Sequence, residues 1–150
     1  MIGIGDHAPD FDVETSDGTR LRLADALARG PLVLFFYPKD YTPGCTTEVC
    51  SFRDAFGAFA DNGAQVLGIS SDGAASHESF AAKYRLPFPL ASDPGGAIRK
   101  TYGIPKTLGL LPGRVTFVID RAGVVRSAFN SQFNPVKHVA AALDVLRTLA

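Results

Sequence analysis

The sequence predicts a three-layer α/β sandwich in which helices cover both faces of a mixed central β-sheet. Short apolar runs, typical of buried strands, alternate with segments of helical periodicity. A strand pair with a tight turn and a last helical segment follow, which favours a sheet with both parallel and antiparallel pairing. The chain has 150 residues, 46% of them hydrophobic, and no repeat or low-complexity tract divides it. We therefore expect one domain, residues 1–150, that buries a core without disulfides.

The expected strands are bounded by turn residues. DFDVET and TRLRLADAL flank a turn at residues 16–18 and predict an N-terminal edge hairpin, although residues 21–28 could also form a helix. PLVLFFYP, at 31–38, is nearly unbroken in β-branched and aromatic residues, which predicts a central strand covered on both faces. AQVLGIS, at 64–70, predicts a second buried strand. RVTFVID and GVVRSAFN predict a strand pair that turns at residues 121–123.

The expected helices show apolar spacing of three and four residues. The segment 42–62 has this spacing at Cys45, Val49, Phe52, Phe56 and Phe59, and Gly63 ends it. Residues 74–85 predict a second helix, GGAIRKTYG a short third one, and residues 136–149 the last.

Composition narrows the possible partners and the compartment. Fifteen basic and fifteen acidic residues cancel, so no net charge attracts nucleic acid or an anionic membrane. The N-terminal residues lack a basic and apolar leader, and PLVLFFY is too short to span a bilayer. These features predict a cytoplasmic protein. In a reducing compartment, two nearby cysteines indicate redox or metal chemistry more often than a structural disulfide.

Both cysteines of the chain lie in the segment YPKDYTPGCTTEVC. Thr42 suits a helix N-cap and Pro43 the first helical position, which places Cys45 in the first turn, where free N–H groups and the helix dipole favour a thiolate. Cys50 follows five residues later, so a regular helix separates the two Cα atoms by about 8–9 Å. A disulfide needs less than about 7 Å. The spacing therefore predicts that the pair is oxidised only if the helix unwinds.

Simpler interpretations of these residues remain open at this point. Cys45 shares a helix face with apolar residues and could be a small buried hydrophobe. Zinc normally needs four ligands, and the histidines are scattered along the chain, so a metal site is not favoured. By default Glu48 is a solvated helix carboxylate and Arg114 a surface charge. The histidines concerned are His7, His77 and His138.

The segment YPKDYTPGCTTEVC resembles the active-site segment of the peroxiredoxins, in which Pro, three residues, Thr, two residues and Cys follow one another. A second cysteine after a gap of four is similar to the peroxiredoxin Q, or bacterioferritin comigratory protein, subgroup. GDHAPDF, GISSDGAASHESFAAKYRLPFPLASDP and RVTFVIDRAGVVR resemble the same subgroup in the same order. The resemblance covers essentially the whole chain and implies a thioredoxin-like fold.

This resemblance implies a thiol-dependent peroxidase that reduces hydrogen peroxide and organic hydroperoxides. Cys45 would be oxidised to a sulfenic acid and Cys50 would resolve it as an intramolecular disulfide. Thioredoxin, or glutaredoxin, would reduce the disulfide, without flavin, haem or metal. Thr42 and Arg114 would complete the catalytic pocket, and Glu48 would orient Arg114. The other residues implied to shape the pocket are Pro38, Pro43 and Gly44.

The loop KTLGLLPG, at 106–113, is more apolar than expected for an exposed loop of this family. Leu108, Leu110 and Leu111 either cover the edge of the core or form a patch for bulky hydroperoxides or a second subunit. Subgroup members with cysteines this close are often monomers, and the loop leaves a dimer open. Two rival functions are a thioredoxin-like disulfide reductase, which usually shows Cys-x-x-Cys, and a redox-switched holdase or interaction domain.

Overall fold

A five-stranded mixed sheet lies between two layers of helices in the computed structural model, which describes residues 1–106, 109 and 111–149. The strands are β1 (Asp12–Glu14), β2 (Arg20–Arg22), β3 (Leu32–Phe36), β4 (Gln65–Ser70), β5 (Leu90–Ser92), β6 (Val115–Ile119) and β7 (Val125–Asn130). The helices are α1 (Leu23–Leu27), α2 (Pro43–Asp54), α3 (Phe56–Asp61), α4 (Ala74–Tyr84), α5 (Ala97–Thr101) and α6 (Lys137–Leu149).

The main sheet has the strand order β5-β4-β3-β6-β7. β3, β4 and β5 are parallel, whereas β6 pairs antiparallel with β3 and β7 antiparallel with β6. β1 and β2 form a separate antiparallel hairpin. The predicted thioredoxin-like sandwich with a mixed sheet and an N-terminal hairpin is confirmed, and the run at 31–38 is its central strand.

The core consists of two apolar layers, one on each face of the sheet. β3 supplies both because its side chains alternate in direction. Leu34 and Phe36 pack in the layer under α1 and α5, and Phe35 packs in the layer under α2, α3, α4 and α6. Every residue of β3 is buried, which explains why this segment is continuously apolar.

The observed elements differ from the predicted ones in three places. The segment 42–62 forms two helices, because Ala55 (φ −93°, ψ 1°) leaves the helical region between α2 and α3. Residues 21–28 contribute first to β2 and then to α1. β5 was not predicted, because it has only three residues and follows Pro87 and Pro89, which weaken a strand signal.

The apolar loop at 106–113 is described only in part. Leu108 and Leu110 lie outside the described residues, and Leu111 has 47% of its surface exposed. Among the described parts of the chain, none of the helices combines the length and apolar character needed to cross a bilayer.

Candidate active site

The start of α2 holds the Cys45 thiol in a buried position. Pro43 occupies the first helical position, so Cys45 lies in the first turn, where backbone N–H groups have no carbonyl one turn earlier. Only 1% of Cys45 is exposed, and it packs in the layer that also holds Val49 and Phe52. The apolar spacing and the first-turn position therefore apply to the same residue, because Cys45 is buried and also lies at the N-terminal end of α2.

Thr42 has the extended backbone of an N-cap residue (φ −77°, ψ 149°), as predicted, but its side chain does not cap the helix. Its hydroxyl donates to the carbonyl oxygen of Lys39 at 2.8 Å instead. The hydroxyl proton is thus engaged, so the Thr42 oxygen can take part in a further hydrogen bond only as an acceptor. Pro38, half-buried, and Pro43, exposed, lie on either side of this turn.

Arg114 lies beside Cys45 because of the register between β3 and β6. Phe36 pairs with Val115, so the residue before β6 lies next to the end of β3, where the chain turns toward α2. The Arg114 guanidinium is 4% exposed. It donates through Nη2 to Cys45 Sγ (3.4 Å), through Nη1 to Glu48 Oε1 (3.0 Å) and through Nε to the carbonyl oxygen of Gln132 (3.1 Å). The default interpretation of Arg114 as a surface charge is wrong.

Gly44 provides the space that Arg114 occupies. A Cβ atom at this position would lie 3.2 Å from Arg114 Nη2, closer than side chains normally approach. A side chain at position 44 would therefore require the guanidinium to shift by a few tenths of an ångström from its position beside Cys45.

Glu48 is fully buried one turn after Cys45, so the default interpretation as a solvated carboxylate is wrong. Burial raises the pKa of Glu48 to about 8, and the charge and hydrogen bond of Arg114 oppose the rise. The direction is upward because desolvation of this carboxyl outweighs its one ion pair. Its Oε1 atom accepts from Arg114, which matches the implied contact between these two residues.

His138, which the sequence does not connect with the site, lies behind Glu48. It is fully buried in α6, with Nδ1 2.8 Å from the Thr116 hydroxyl and Nε2 2.8 Å from the Ser131 carbonyl oxygen. Burial lowers the pKa of His138 to about 4; the hydrogen bond to Ser131 opposes the fall and the Arg114 charge adds to it. No local motif marks this histidine, since its neighbours come from β6 and the end of β7.

Arg99 is a second guanidinium near the thiol that the sequence did not reveal. It donates through Nη1 to the carbonyl oxygen of Gly113 and through Nη2 to that of Tyr37 (3.0 Å), so it ties together the segments that lead to Arg114 and to α2. Burial lowers the pKa of Arg99, and the charges of Asp93 and Cys45 oppose this shift. Two guanidinium groups, those of Arg114 and Arg99, therefore lie near the Cys45 thiol.

Cys50 lies in the same helix as Cys45, half-buried, and both thiols are free. Burial raises the pKa of Cys50, with Arg53 opposing and Asp54 adding to the shift. The Cys50 thiol is consequently protonated at neutral pH. In this conformation it is a weak nucleophile.

His77 is not isolated, contrary to the sequence-based view of the histidines. Its ring, Asp40 and Asp72 place their possible ligand atoms within 4.8 Å of one another. However, His77 Nδ1 lies 2.8 Å from Asp40 Oδ2, and hydroxyls already bind both carboxylates. The donors are Tyr37 and Ser76 on Asp40, and Ser70 on Asp72. We interpret the group as a buried hydrogen-bond network that fixes the turn before α2.

The comparisons with known proteins agree with this geometry. Residues 4–128 match the model of the AhpC/TSA family. Peroxiredoxin Q, a chloroplast protein of Oryza sativa subsp. japonica, is 48% identical over 149 residues, which cover 99% of this chain and 68% of that protein. The chloroplast peroxiredoxin Q of Populus jackii is also 48% identical, over 99% of this chain and 70% of its own length.

Solved structures give the same result. The peroxidoxin BcpB of Mycobacterium tuberculosis superposes with a TM-score of 0.92 at 39% identity, covering 100% of this chain and 99% of that one. The bacterioferritin comigratory protein of Xanthomonas campestris superposes with a TM-score of 0.86 at 32% identity, covering 99% of each chain.

A thioredoxin-like sandwich with a buried cysteine at a helix start and an arginine on its sulfur defines a thiol-dependent peroxidase. The chain belongs to the AhpC/TSA family, the peroxiredoxins, and within it to the peroxiredoxin Q subgroup.

The expectation of a cytoplasmic protein is wrong in the light of these relatives. The curated proteins at 45–48% identity are peroxiredoxins Q named as chloroplastic. The activity of a thiol peroxidase depends on its folded domain and does not require a particular compartment. The lack of a leader pattern in the N-terminal residues therefore does not indicate where the protein works.

Proposed function

We propose that Cys45 is the thiol oxidised by peroxide, and that the substrates are hydrogen peroxide and organic hydroperoxides. The position of Cys45 Sγ in the first turn of α2, 3.4 Å from Arg114 Nη2, carries this proposal. A helix N-terminus and a guanidinium both stabilise a thiolate over a thiol. Work on the Xanthomonas campestris relative describes alkyl peroxide reduction, which supports organic hydroperoxides as substrates.

The reaction is a nucleophilic displacement at oxygen. The Cys45 thiolate attacks the terminal oxygen of ROOH, the S–O bond forms as the O–O bond breaks, and RO⁻ leaves and is protonated to ROH. Cys45 is thereby oxidised to a sulfenic acid and the peroxide is reduced. Negative charge moves onto the leaving oxygen in the transition state, so the fixed Arg114 guanidinium and first-turn N–H groups stabilise that state most. The Thr42 oxygen accepts a hydrogen bond from the O–H group of the bound peroxide.

Cys50 then resolves the sulfenic acid. Its sulfur attacks Cys45 Sγ, water leaves, and an intramolecular disulfide forms. The two Cα atoms are about 8–9 Å apart in a regular helix, so the first turns of α2 must unwind. Unwinding also brings the buried Cys45 to the surface, where an external dithiol supplies two electrons and restores both thiols. We assign thioredoxin to this last step, with glutaredoxin as the alternative donor, and one chain suffices for the cycle.

A coupled assay tests the proposal directly. Purified protein with thioredoxin, its reductase and NADPH should consume peroxide with a stoichiometry of one NADPH per peroxide. Cys45→Ser should abolish turnover, because a serine hydroxyl forms no anion at neutral pH. Cys50→Ser should still be oxidised once and then accumulate sulfenic acid, detectable with dimedone.

Other outcomes of this assay would reject the assignment. Turnover by Cys45→Ser at the wild-type rate, or sulfenic acid on Cys50 instead of Cys45, would reverse the roles of the two thiols. Reduction of insulin disulfides without peroxide consumption would indicate a disulfide reductase. Suppression of aggregation without either activity would indicate a holdase.

A further inference from the structure

The two strands that lead to the site diverge at the end of their ladder. The antiparallel pairing of β3 with β6 ends at Phe36 and Val115. Beyond this pair, one segment turns from Tyr37 toward α2, and the other enters β6 through Arg114. On its β7 side Arg114 is still paired, because its carbonyl oxygen accepts from the Ser131 N–H at 3.2 Å. The position of Arg114 relative to α2 therefore depends on what holds its β3 side.

Arg99 of α5 spans the gap between these two segments with one guanidinium. Nη2 donates to the carbonyl oxygen of Tyr37 at 3.0 Å, and Nη1 donates to that of Gly113, the residue before Arg114. The planar guanidinium holds its N–H donors at fixed angles, so it keeps the two carbonyl oxygens at one separation. The guanidinium carbon also lies 5.7 Å from the centre of the Phe36 ring. This Arg99 bridge, formed by Arg99, Tyr37 and Gly113, joins the end of β3 to the segment that enters β6.

The backbone of Arg99 is held by groups outside the site. The buried Asp93 carboxylate accepts from the Ile98 N–H at 2.8 Å and from the Arg99 N–H at 3.0 Å. Asp93 directly follows β5, and its own N–H donates to the carbonyl oxygen of Ser70, the last residue of β4. A side chain that starts from a fixed backbone has less freedom to lose when it binds. The Arg99 bridge is therefore supported by the sheet and by α5, and not by α2.

We propose that Arg99 is a positioning residue for the reaction with peroxide, because its bridge between β3 and β6 keeps the Arg114 guanidinium aligned with Cys45. The contact that the bridge preserves is the 3.4 Å approach of Arg114 Nη2 to Cys45 Sγ. Displacement of an aligned group by a fraction of an ångström is enough to slow a reaction. The charge of Arg99 also interacts with that of Cys45, but this interaction changes the amount of thiolate and not the alignment. The inference rests on the proposed function of Cys45.

Two second-order rate constants separate alignment from charge, both measured on Cys45 in proteins that also carry Cys50→Ser. One is for hydrogen peroxide, and the other is for iodoacetamide, which alkylates the thiolate without a leaving oxygen. The amount of thiolate affects both constants equally and cancels from their ratio. Arg99→Met keeps an unbranched apolar side chain and removes the donors, and we expect the ratio of the peroxide to the iodoacetamide constant to fall by about tenfold or more. Lys100→Met, at an exposed position of α5, is the control and should leave the ratio unchanged.

A double-mutant cycle tests whether Arg99 acts through Arg114. In a protein that already carries Arg114→Ala, Arg99→Met should change the ratio by less than about twofold, because the group that it aligns is absent. An equal loss with and without Arg114→Ala would show that Arg99 acts only on general packing and would overturn the proposal, as would an unchanged ratio in Arg99→Met. Arg99→Lys keeps the charge and loses the planar group, so it should also lower the ratio. If Arg99→Met does not fold, Arg99→Lys takes its place in the cycle.

Nuclear magnetic resonance gives a measurement that needs no peroxide. The Arg114 Nε–H donates to the carbonyl oxygen of Gln132 at 3.1 Å, and its exchange with solvent should be at least about tenfold faster in Arg99→Met than in wild type. The signal is assigned by its loss in Arg114→Ala. An unchanged exchange rate in Arg99→Met would overturn the proposal, even if the variant reacted more slowly. If Cys45 proves not to react with peroxide while this exchange depends on Arg99, the proposed function fails and the positioning of Arg114 by Arg99 stands.

Discussion

Arg114 Nη2 lies 3.4 Å from Cys45 Sγ, although the two residues are 69 positions apart in the sequence. The contact depends on the antiparallel register of β3 and β6, which places the residue before β6 next to the turn that leads into α2. Three hydrogen bonds fix the guanidinium, to the thiol, to Glu48 and to the Gln132 backbone. The planar guanidinium holds its N–H donors in a fixed arrangement, which the ammonium group of a flexible lysine side chain does not reproduce.

Replacement of Arg114 should slow the reaction with peroxide and leave the fold intact. Arg114→Lys loses the bidentate geometry, and we expect the second-order rate constant with hydrogen peroxide to fall by about 100-fold or more, as when an oxyanion donor is removed. Stopped-flow measurements at several peroxide concentrations give this constant. Arg126→Ala removes an exposed arginine of β7 and is the control; an equal loss in both variants would contradict a specific role.

The Thr42 hydroxyl should contribute to the rate by accepting from the bound peroxide. Thr42→Val keeps the shape of the side chain, and we expect a loss of about tenfold, the size of one hydrogen bond. Thr47→Val is the matched control, because Thr47 is exposed on the same helix and its hydroxyl donates to the Pro43 carbonyl. Similar rates for Thr42→Val and Thr47→Val would remove Thr42 from the mechanism.

Gly44→Ala should lower the rate although it favours the helix. In a helix, Gly→Ala stabilises by about 1 kcal/mol, but at position 44 the new Cβ would lie 3.2 Å from Arg114 Nη2. Gly57→Ala in α3 meets nothing within 4 Å and gives the same helical gain without the contact. We expect both variants to form stable proteins and only Gly44→Ala to react more slowly with peroxide. Equal rates would mean that Arg114 adapts to the methyl group.

Disulfide formation should unfold α2 and leave α3 in place. The start of α2 has low helix propensity, because it contains Pro43, Gly44 and two threonines. The break at Ala55 separates α2 from α3. Hydrogen exchange of oxidised against reduced protein should show lost protection over residues 42–52 and retained protection over Phe56–Asp61. Equal protection in the two states, or a disulfide between two chains on a non-reducing gel, would rule out this local unfolding.

The raised pKa of Glu48 should make stability depend on pH between about 4.5 and 8. The folded protein keeps a proton that the unfolded chain releases above pH 4.5, so the folded state binds more protons in this window and its stability falls as pH rises. Relative to Glu48→Gln, wild type should lose about 1–3 kcal/mol of unfolding free energy across the window. Urea denaturation at a series of pH values measures this. A constant difference between the two proteins would show that the Glu48 pKa is not raised.

The buried His138 has the opposite effect on the pH dependence of the free energy of unfolding. Because its folded pKa of about 4 lies below the unfolded value of 6.5, stability is lost as pH falls from 6.5 to 4. Above pH 6.5 the contribution of His138 no longer changes with pH, so the comparison with Glu48→Gln is clearest between pH 6.5 and 8.

The sequence by itself determined the elements and chemistry that depend on neighbouring residues. The central strand is recognisable because a strand covered on both faces must be apolar at every position. The start of α2 follows from Thr42 and Pro43, and the separation of the thiols follows from helix geometry. The motif around Cys45, together with the ordered segments along the chain, was specific enough to indicate the family.

Only the tertiary structure decided the charges around the thiol. Arg114, Arg99 and His138 come from three other segments of the chain, and their distances to the site depend on strand register and helix packing, which no local pattern encodes. The protonation states of Glu48 and Cys50 could not be predicted from the sequence either, because burial raises their pKa values and burial results from the whole fold. The break at Ala55 was missed because the apolar spacing of α2 and α3 runs through it without a gap. Short-range periodicity therefore predicted where the thiol lies, and the packing of distant segments decided what surrounds it.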